Sequence, residues 1–155
     1  MLFRSAQRWD QIFAINTRSI FFGAKHAIPH LKQSGRGSIV NMASLVGKRG
    51  APGIAAYSAS KGAVVAFGSA LALELAPDNI RVNTICPGLV DTRFNQAMID
   101  FMGGRAVQDA FVKQAVPLGR QAHPSEIAPL YVYLASDESS YMTGQAIVVD
   151  GGIYN

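Results

Sequence analysis

Apolar residues recur at steps of three and four from about Ala6 to Gln33. Trp9, Phe13, Ile20, Ala24, Ala27 and Leu31 form one stripe, the pattern of a helix with a single core-facing side. Asn16 stands on that stripe and bridges its one longer gap. Gly35-Arg36-Gly37 breaks the helix, and Ser38–Ala43 then reads as a short strand ending at Ser44. Residues from Gly47 to Gly53, with Pro52, read as a loop. A second helix is predicted over Tyr57–Leu75, stopped by Pro77 and Asp78-Asn79. A second strand follows over Ile80–Cys86 and is closed by Pro87-Gly88. The segment Asp91–Gln121 predicts two short helices broken at Gly103-Gly104 and Pro117. A further helix is expected over Pro124–Ala135, with Ser125-Glu126 in its first turn. The last strand is Ala146–Asp150, followed by Gly151-Gly152.

Strands separated by helices imply parallel pairing through right-handed crossovers. The fold class is therefore α/β: part of a doubly wound parallel sheet, about three strands with flanking helices. Such a sheet ordinarily has two halves. The order here opens on a helix, so the first strand is expected to present an unpaired edge, an aggregation liability. The Tyr57 helix is apolar nearly all round, with Ala59, Ala63, Ala66, Ala70 and Leu73 on one side and Val64, Val65, Ala72 and Leu75 on another. A helix of that kind is buried on more than one face. One face can cover the sheet, and a twofold homodimer would cover the other.

Composition narrows the function classes. The chain has 155 residues, 49% of them hydrophobic and only 15% charged, below the roughly 25% of an average soluble domain. That shortage points to a large buried surface. The formal charge is +4, but the basic residues are scattered; Lys48-Arg49 is the only adjacent basic pair. No aromatic residues interleave with a basic run, which argues against nucleic acid as a partner. Cys86 is the single cysteine, so an internal disulfide is impossible and a reducing cytoplasm is the expected location. The most apolar stretch, Val64–Ala76, carries Glu74 and is too short to span a bilayer, so no membrane partner is expected. His26 and His30 have the i, i+4 spacing of a zinc pair but lack a glutamate between them and a third ligand, so no metal is expected. His123 reads as an incidental loop residue.

The chemistry gathers at one rim. In open parallel sheets a ligand lies beyond the carboxyl ends of the strands. Ser44 follows the first strand, Pro87-Gly88 the second, and Tyr57 opens the helix after the first. Tyr57 and Lys61, four apart on one helix, project from the same face. A phenol with a pKa near 10 exchanges protons poorly at neutral pH, and a nearby ammonium lowers that value. A phenol so tuned can give a proton to a carbonyl oxygen or take one from an alcohol. Ser44 could hydrogen-bond the same oxygen. Asn16, an amide on an apolar stripe, either satisfies a neighbouring group or holds a water linking Lys61 to solvent.

Together these residues resemble the short-chain dehydrogenase/reductase family over nearly the whole chain from Ala6 onward. Its asparagine is matched by Ala14-Ile15-Asn16 and its serine by Ile39–Ser44. Tyr57 and Lys61 match its tyrosine and lysine, at the family's interval from Ser44. Ile80–Gly88 is similar to its sixth strand, and Gly144-Gln145 and Val149–Gly152 to its C-terminal ending. The resemblance implies a Rossmann-type fold. It implies a reversible hydride transfer between NAD or NADP and a small carbonyl or alcohol, in a homodimer or homotetramer. By that resemblance Tyr57 is the general acid/base, Ser44 positions the reacting oxygen and Asn16 supports a proton relay. Lys61 holds the nicotinamide ribose and lowers the tyrosine pKa. Pro87 and Gly88 would pack near the nicotinamide, with the Val90 backbone and the Thr92 hydroxyl on its carboxamide.

The family's glycine-rich phosphate loop, its residue choosing NAD or NADP and its Asn-Ala-Gly segment have no counterpart here. Without them the pyrophosphate has no helix N-terminus to bind, so weak cofactor binding and little turnover are expected of this chain alone. Residues 6–155 are read as the C-terminal catalytic half of one domain. Residues 1–5 are read as a non-native leader, because Leu2-Phe3-Arg4-Ser5 is what the end of a common sequencing adapter, CTC TTC CGA TCT, would encode. A catalytically silent fragment that survives by pairing with longer subunits is the alternative. Met98, Phe101, Met102 and Phe111 suggest an apolar substrate lining.

Overall fold

The computed structural model describes residues 5–154, apart from the side chains of Ala97 and Phe101. Residues 1–4, most of the expected leader, and the Phe101 side chain of the expected lining lie outside the described residues. Ser5 is described, and its hydroxyl accepts the Arg8 N–H at 3.2 Å to cap α1. The chain runs α1 (Ala6–Phe13), a π-helical turn (Ala14–Arg18), α2 (Ser19–Gln33), β1 (Gly37–Met42), α3 (Val46–Arg49), α4 (Ala55–Leu75) and β2 (Ile80–Pro87). It continues through α5 (Gln96–Met102), α6 (Arg105–Ala115), α7 (Pro124–Ala135) and β3 (Ala146–Val149).

The sheet is three-stranded and parallel in the order β1-β2-β3, with Gly37 opposite Ile80 and Thr84 opposite Ala146. Among the described residues β1 pairs only with β2, which leaves its other edge open, as expected of it from the element order. β2 is the central strand and is buried almost throughout, as a strand covered on both faces must be. α4 lies on one face through Val64, Gly68, Leu71, Ala72 and Leu75, and α7 covers the other through Ile127 and Leu134. The stretch Ala55–Asp78 is long and apolar enough to cross a membrane, which corrects the shorter span read from the sequence. Its burial against the sheet accounts for that character.

Three elements differ from the sequence reading. The long first helix contains a π-helical turn, which a regular 3.6-residue pattern does not reveal. Its apolar stripe is buried only in the second half: Ala24 is in the core, whereas α1 buries nothing and Trp9, stacked on Phe13 at 4.7 Å, is 42% exposed. The expected loop after Ser44 contains α3, and Gly47 there sits so close to α4 that a Cβ would fall 2.7 Å from the Lys61 carbonyl carbon. His123 is not incidental: it caps α7, its Nδ1 accepting from Ser125 N while the Glu126 carboxylate accepts from His123 N at 2.8 Å.

Candidate functional site

Three chain segments meet at the carboxyl end of the sheet. The β1 backbone continues past Met42, with Ala43 N donating to Ile85 O at 2.8 Å and Leu45 N to Pro87 O at 2.9 Å. These bonds hold Ser44 beside the end of β2. Gly88 N donates to Val149 O at 3.0 Å, tying the same turn to β3. A side chain at Gly88 would meet the Asp150 Cβ at 2.7 Å, so only glycine allows this approach. Tyr57 lies in the first turn of α4 and Lys61 one turn further on, both facing the rim.

Ser44 lies near enough to Tyr57 to lower its pKa, and Lys61 Nζ stands 5.9 Å from the Tyr57 ring centroid. The electrostatics differ from expectation. Burial pushes the Tyr57 phenol above its ordinary value, and the hydrogen bond with Ser44 only partly offsets this. Lys61 does not pull the phenol down. Its ammonium donates instead to Met42 O at 3.1 Å, and burial draws its own pKa down, with a smaller opposing effect from Cys86. Both groups are thus pushed toward their neutral forms.

Asn16 lies in the π-helical turn and is half-buried. Its Nδ2 donates to Ser60 Oγ at 3.0 Å, and Ser60 Oγ donates to Tyr57 O at 2.7 Å. Thr17 Oγ1 adds a third tie, to Ser60 O at 3.1 Å. The sequence reading passed over Ser60 and Thr17, although Ser60 sits between the two singled-out residues of α4. It also missed Phe94, whose ring lies 6.5 Å from that of Tyr57 and is 77% exposed.

Beyond Gly88 the chain forms a parallel bridge at Val90 with Ala122: Asp91 N donates to Ala122 O at 2.8 Å and Ala122 N to Leu89 O at 2.9 Å. Asn95 Nδ2 donates to Val90 O at 2.6 Å. These bonds leave the Val90 N–H and the Thr92 hydroxyl without protein partners among the described residues. A free N–H and a free hydroxyl two residues apart suit a carboxamide, and the singly bonded ammonium of Lys61 has donors to spare for sugar hydroxyls. The residues present therefore fit the nicotinamide end of a dinucleotide.

Two other features lie apart. A cavity of about 350 Å³ is lined by Asp91, Arg105, Asp109, Arg120 and His123, without Tyr57. Its guanidinium groups are already matched, Arg105 to Asp91 at 2.7 Å and Arg120 to Glu126 at 2.7 Å. His26 and His30 are exposed on α2, and no cluster of three or more potential metal ligands exists among the described residues.

Known proteins resemble this chain in sequence and fold. The family profile described as enoyl-(acyl carrier protein) reductase matches residues 2–154. The chain is 44% identical over 149 residues to the cyclopentanol dehydrogenase of Comamonas sp. (strain NCIMB 9872), covering 96% of this chain and 58% of that protein. It is 39% identical over 145 residues to a 3-oxoacyl-(acyl-carrier-protein) reductase of Thermotoga maritima, covering 94% and 56%. It superposes on the crystal structure of a 3-oxoacyl-(acyl-carrier protein) reductase from Brucella melitensis with a TM-score of 0.88 at 32% identity, covering 97% of this chain and 55% of that one. A 4-hydroxyisoleucine dehydrogenase complexed with NADH and succinate gives 0.87 at 30% identity, covering 96% and 60%. The chain spans somewhat over half the length of these relatives. With a profile matching nearly its full length, the chain belongs to the short-chain dehydrogenase/reductase family.

Proposed function

We propose that this chain is the catalytic and substrate-binding part of an oxidoreductase that interconverts an alcohol and a ketone or aldehyde. The observation that carries the reading is the gathering of Ser44 and Lys61 about one half-buried phenol at the sheet rim. Bound beside them, NAD or NADP would supply or accept the hydride. Lys61 would hold its ribose, the Val90 N–H and Thr92 hydroxyl its carboxamide, and Pro87-Gly88 would pack against its ring. Ser44 orients the substrate oxygen, and Tyr57 gives that oxygen a proton in reduction and takes one in oxidation. The raised phenol suits it to hold a proton until a substrate is in place. Phe94, with Met98 one turn on, offers an apolar wall beside Tyr57, in keeping with an uncharged carbonyl substrate.

The open edge of β1 and the exposed Trp9 favour a longer whole, in which an upstream segment completes the sheet and carries the pyrophosphate. Exposed Phe21 and Leu73, on α2 and α4, favour a homodimer or homotetramer through those helices, and the single Cys86 suits a reducing cytoplasm. The second reading, a silent fragment acting only as an oligomerisation partner, is favoured by the Lys61–Met42 bond, which keeps the ammonium off the phenol.

Joining residues 6–155 to the remaining part of the Comamonas dehydrogenase tests the proposal. The folded chimera should reduce a cyclic ketone with a reduced nicotinamide dinucleotide. Tyr57→Phe should cost at least about 100-fold, within the span of acid–base catalysis. A folded chimera with no turnover, or a Tyr57→Phe chimera with full turnover, would overturn it.

A further inference from the structure

We infer that Lys48-Arg49, the chain's one adjacent basic pair, is a clasp that positions Ser44 by tying α3 to β3 and the segment after it. Lys48 Nζ donates to Ala146 O at 3.1 Å and stands 5.6 Å from the centre of the Tyr154 ring. Arg49 Nη1 donates to Ile153 O at 2.8 Å. The lysine takes an oxygen that the sheet leaves unused. Carbonyls along a paired strand alternate in direction. Gln145 O and Val149 O accept from Thr84 N and Gly88 N, so Ala146 O, out of phase with both, is turned away from β2. The segment that receives the arginine is itself firmly seated. Gly152 N donates to Asp150 Oδ1 at 2.9 Å and Leu118 N to Gly151 O at 3.2 Å. A Cβ at Gly151 would fall 2.8 Å from Val116, so this turn rests directly on its neighbour.

Helix α3 passes this hold on to the serine. Val46 N donates to Ser44 Oγ at 3.4 Å and Gly47 N to Ser44 O at 3.0 Å, so the start of α3 grips both the side chain and the backbone of Ser44. A helix of four residues is far too short to be stable on its own hydrogen bonds, and its place is set by what it is tied to. Gly47 seats it against the α4 backbone, and the clasp fixes its other end. Both basic side chains are exposed, and their recorded partners are backbone carbonyls and an aromatic face. The inference rests on the proposed role of Ser44 in orienting the substrate oxygen. It adds that Lys48 and Arg49, neither of which lies at the rim, determine how firmly that hydroxyl is held.

Nuclear magnetic resonance on the whole 155-residue chain tests it without cofactor or turnover. In the wild-type chain the Ser44 α–β couplings should be those of a single staggered rotamer. In Lys48→Ala combined with Arg49→Ala they should average over rotamers, and the Tyr57 titration should move up by at least half the shift of Ser44→Ala. Lys48→Arg combined with Arg49→Lys keeps both donors and should restore both readings. Added to Ser44→Ala, the alanine pair should move Tyr57 no further. A further rise there would report lost charge rather than lost position and would overturn the inference, as would a single Ser44 rotamer in the alanine pair. Should that pair fail to fold, Arg49→Ala alone decides by the same two readings. Failure of the underlying reading looks different. If Ser44→Ala itself leaves Tyr57 unmoved, the reading and the clasp both fall; if it moves Tyr57 and the alanine pair does not, only the clasp falls.

Discussion

At the scale of single residues, the behaviour of Tyr57 is governed by burial against one hydroxyl. Ser44 lowers a phenol that burial raises, so Ser44→Ala should move the Tyr57 titration further up; a downward shift, followed through the ring carbon bonded to oxygen, would contradict this. The two rim groups also push stability in opposite directions with pH. Folding holds the Tyr57 proton more tightly, so its contribution is present below the ordinary value of 10.0 and is lost as pH rises through the raised one. Folding holds the Lys61 proton less tightly, so stability rises with pH between its lowered value and 10.5. That Ser44, Tyr57 and Lys61 come near one another was legible from their spacing, because a strand end and one helical turn fix which residues can meet. The partners of Lys61 and Asn16 were not. Whether an ammonium bonds a phenol or a backbone carbonyl depends on the packing of β1, and no pattern in α4 encodes it.

At the scale of elements, close approach and capping carry the fold. Gly47→Ala would drive a methyl into the Lys61 backbone, which has no flexible end to yield, at about 1–3 kcal/mol. Gly23→Ala in α2 meets nothing within 4 Å and should stabilise by about 0.5–1 kcal/mol, the helix preference of alanine over glycine. Denaturant midpoints of the two variants should therefore move in opposite directions. The α7 cap has a pH signature. Arg120 and the His123 backbone hold the Glu126 carboxyl down at about 2 against an ordinary 4.5. A depressed carboxyl contributes stability above its unfolded value and loses it as pH falls through the folded one. The loss belongs between 4.5 and about 2, and Glu126→Gln should flatten the acid limb of stability there. Helix α7 and the break at Gly103-Gly104 were readable because Pro, Gly and Glu act locally. The π-helical turn was hidden because one extra residue in a turn leaves the composition unchanged.

At the scale of the whole molecule, large apolar side chains stand on the surface. Leu73 is 78% exposed in the last turn of an apolar helix, and the exposed Phe21 lies against Phe67 of the same helix with ring centres 6.5 Å apart. Sedimentation should show self-association of the chain that Leu73→Glu combined with Phe21→Glu reduces; equal masses would argue against that face. The open edge has a consequence for Lys61 itself. Ala43 N and Asn41 face β2, so the register turns the Val40 and Met42 carbonyls outward. Tyr131 Oη occupies the first at 3.4 Å and Lys61 Nζ the second at 3.1 Å. An incoming parallel strand competes for those same oxygens. Displaced from Met42 O by such a strand, the Lys61 ammonium would be free to take another acceptor, so the strand edge and the rim draw on one and the same oxygen.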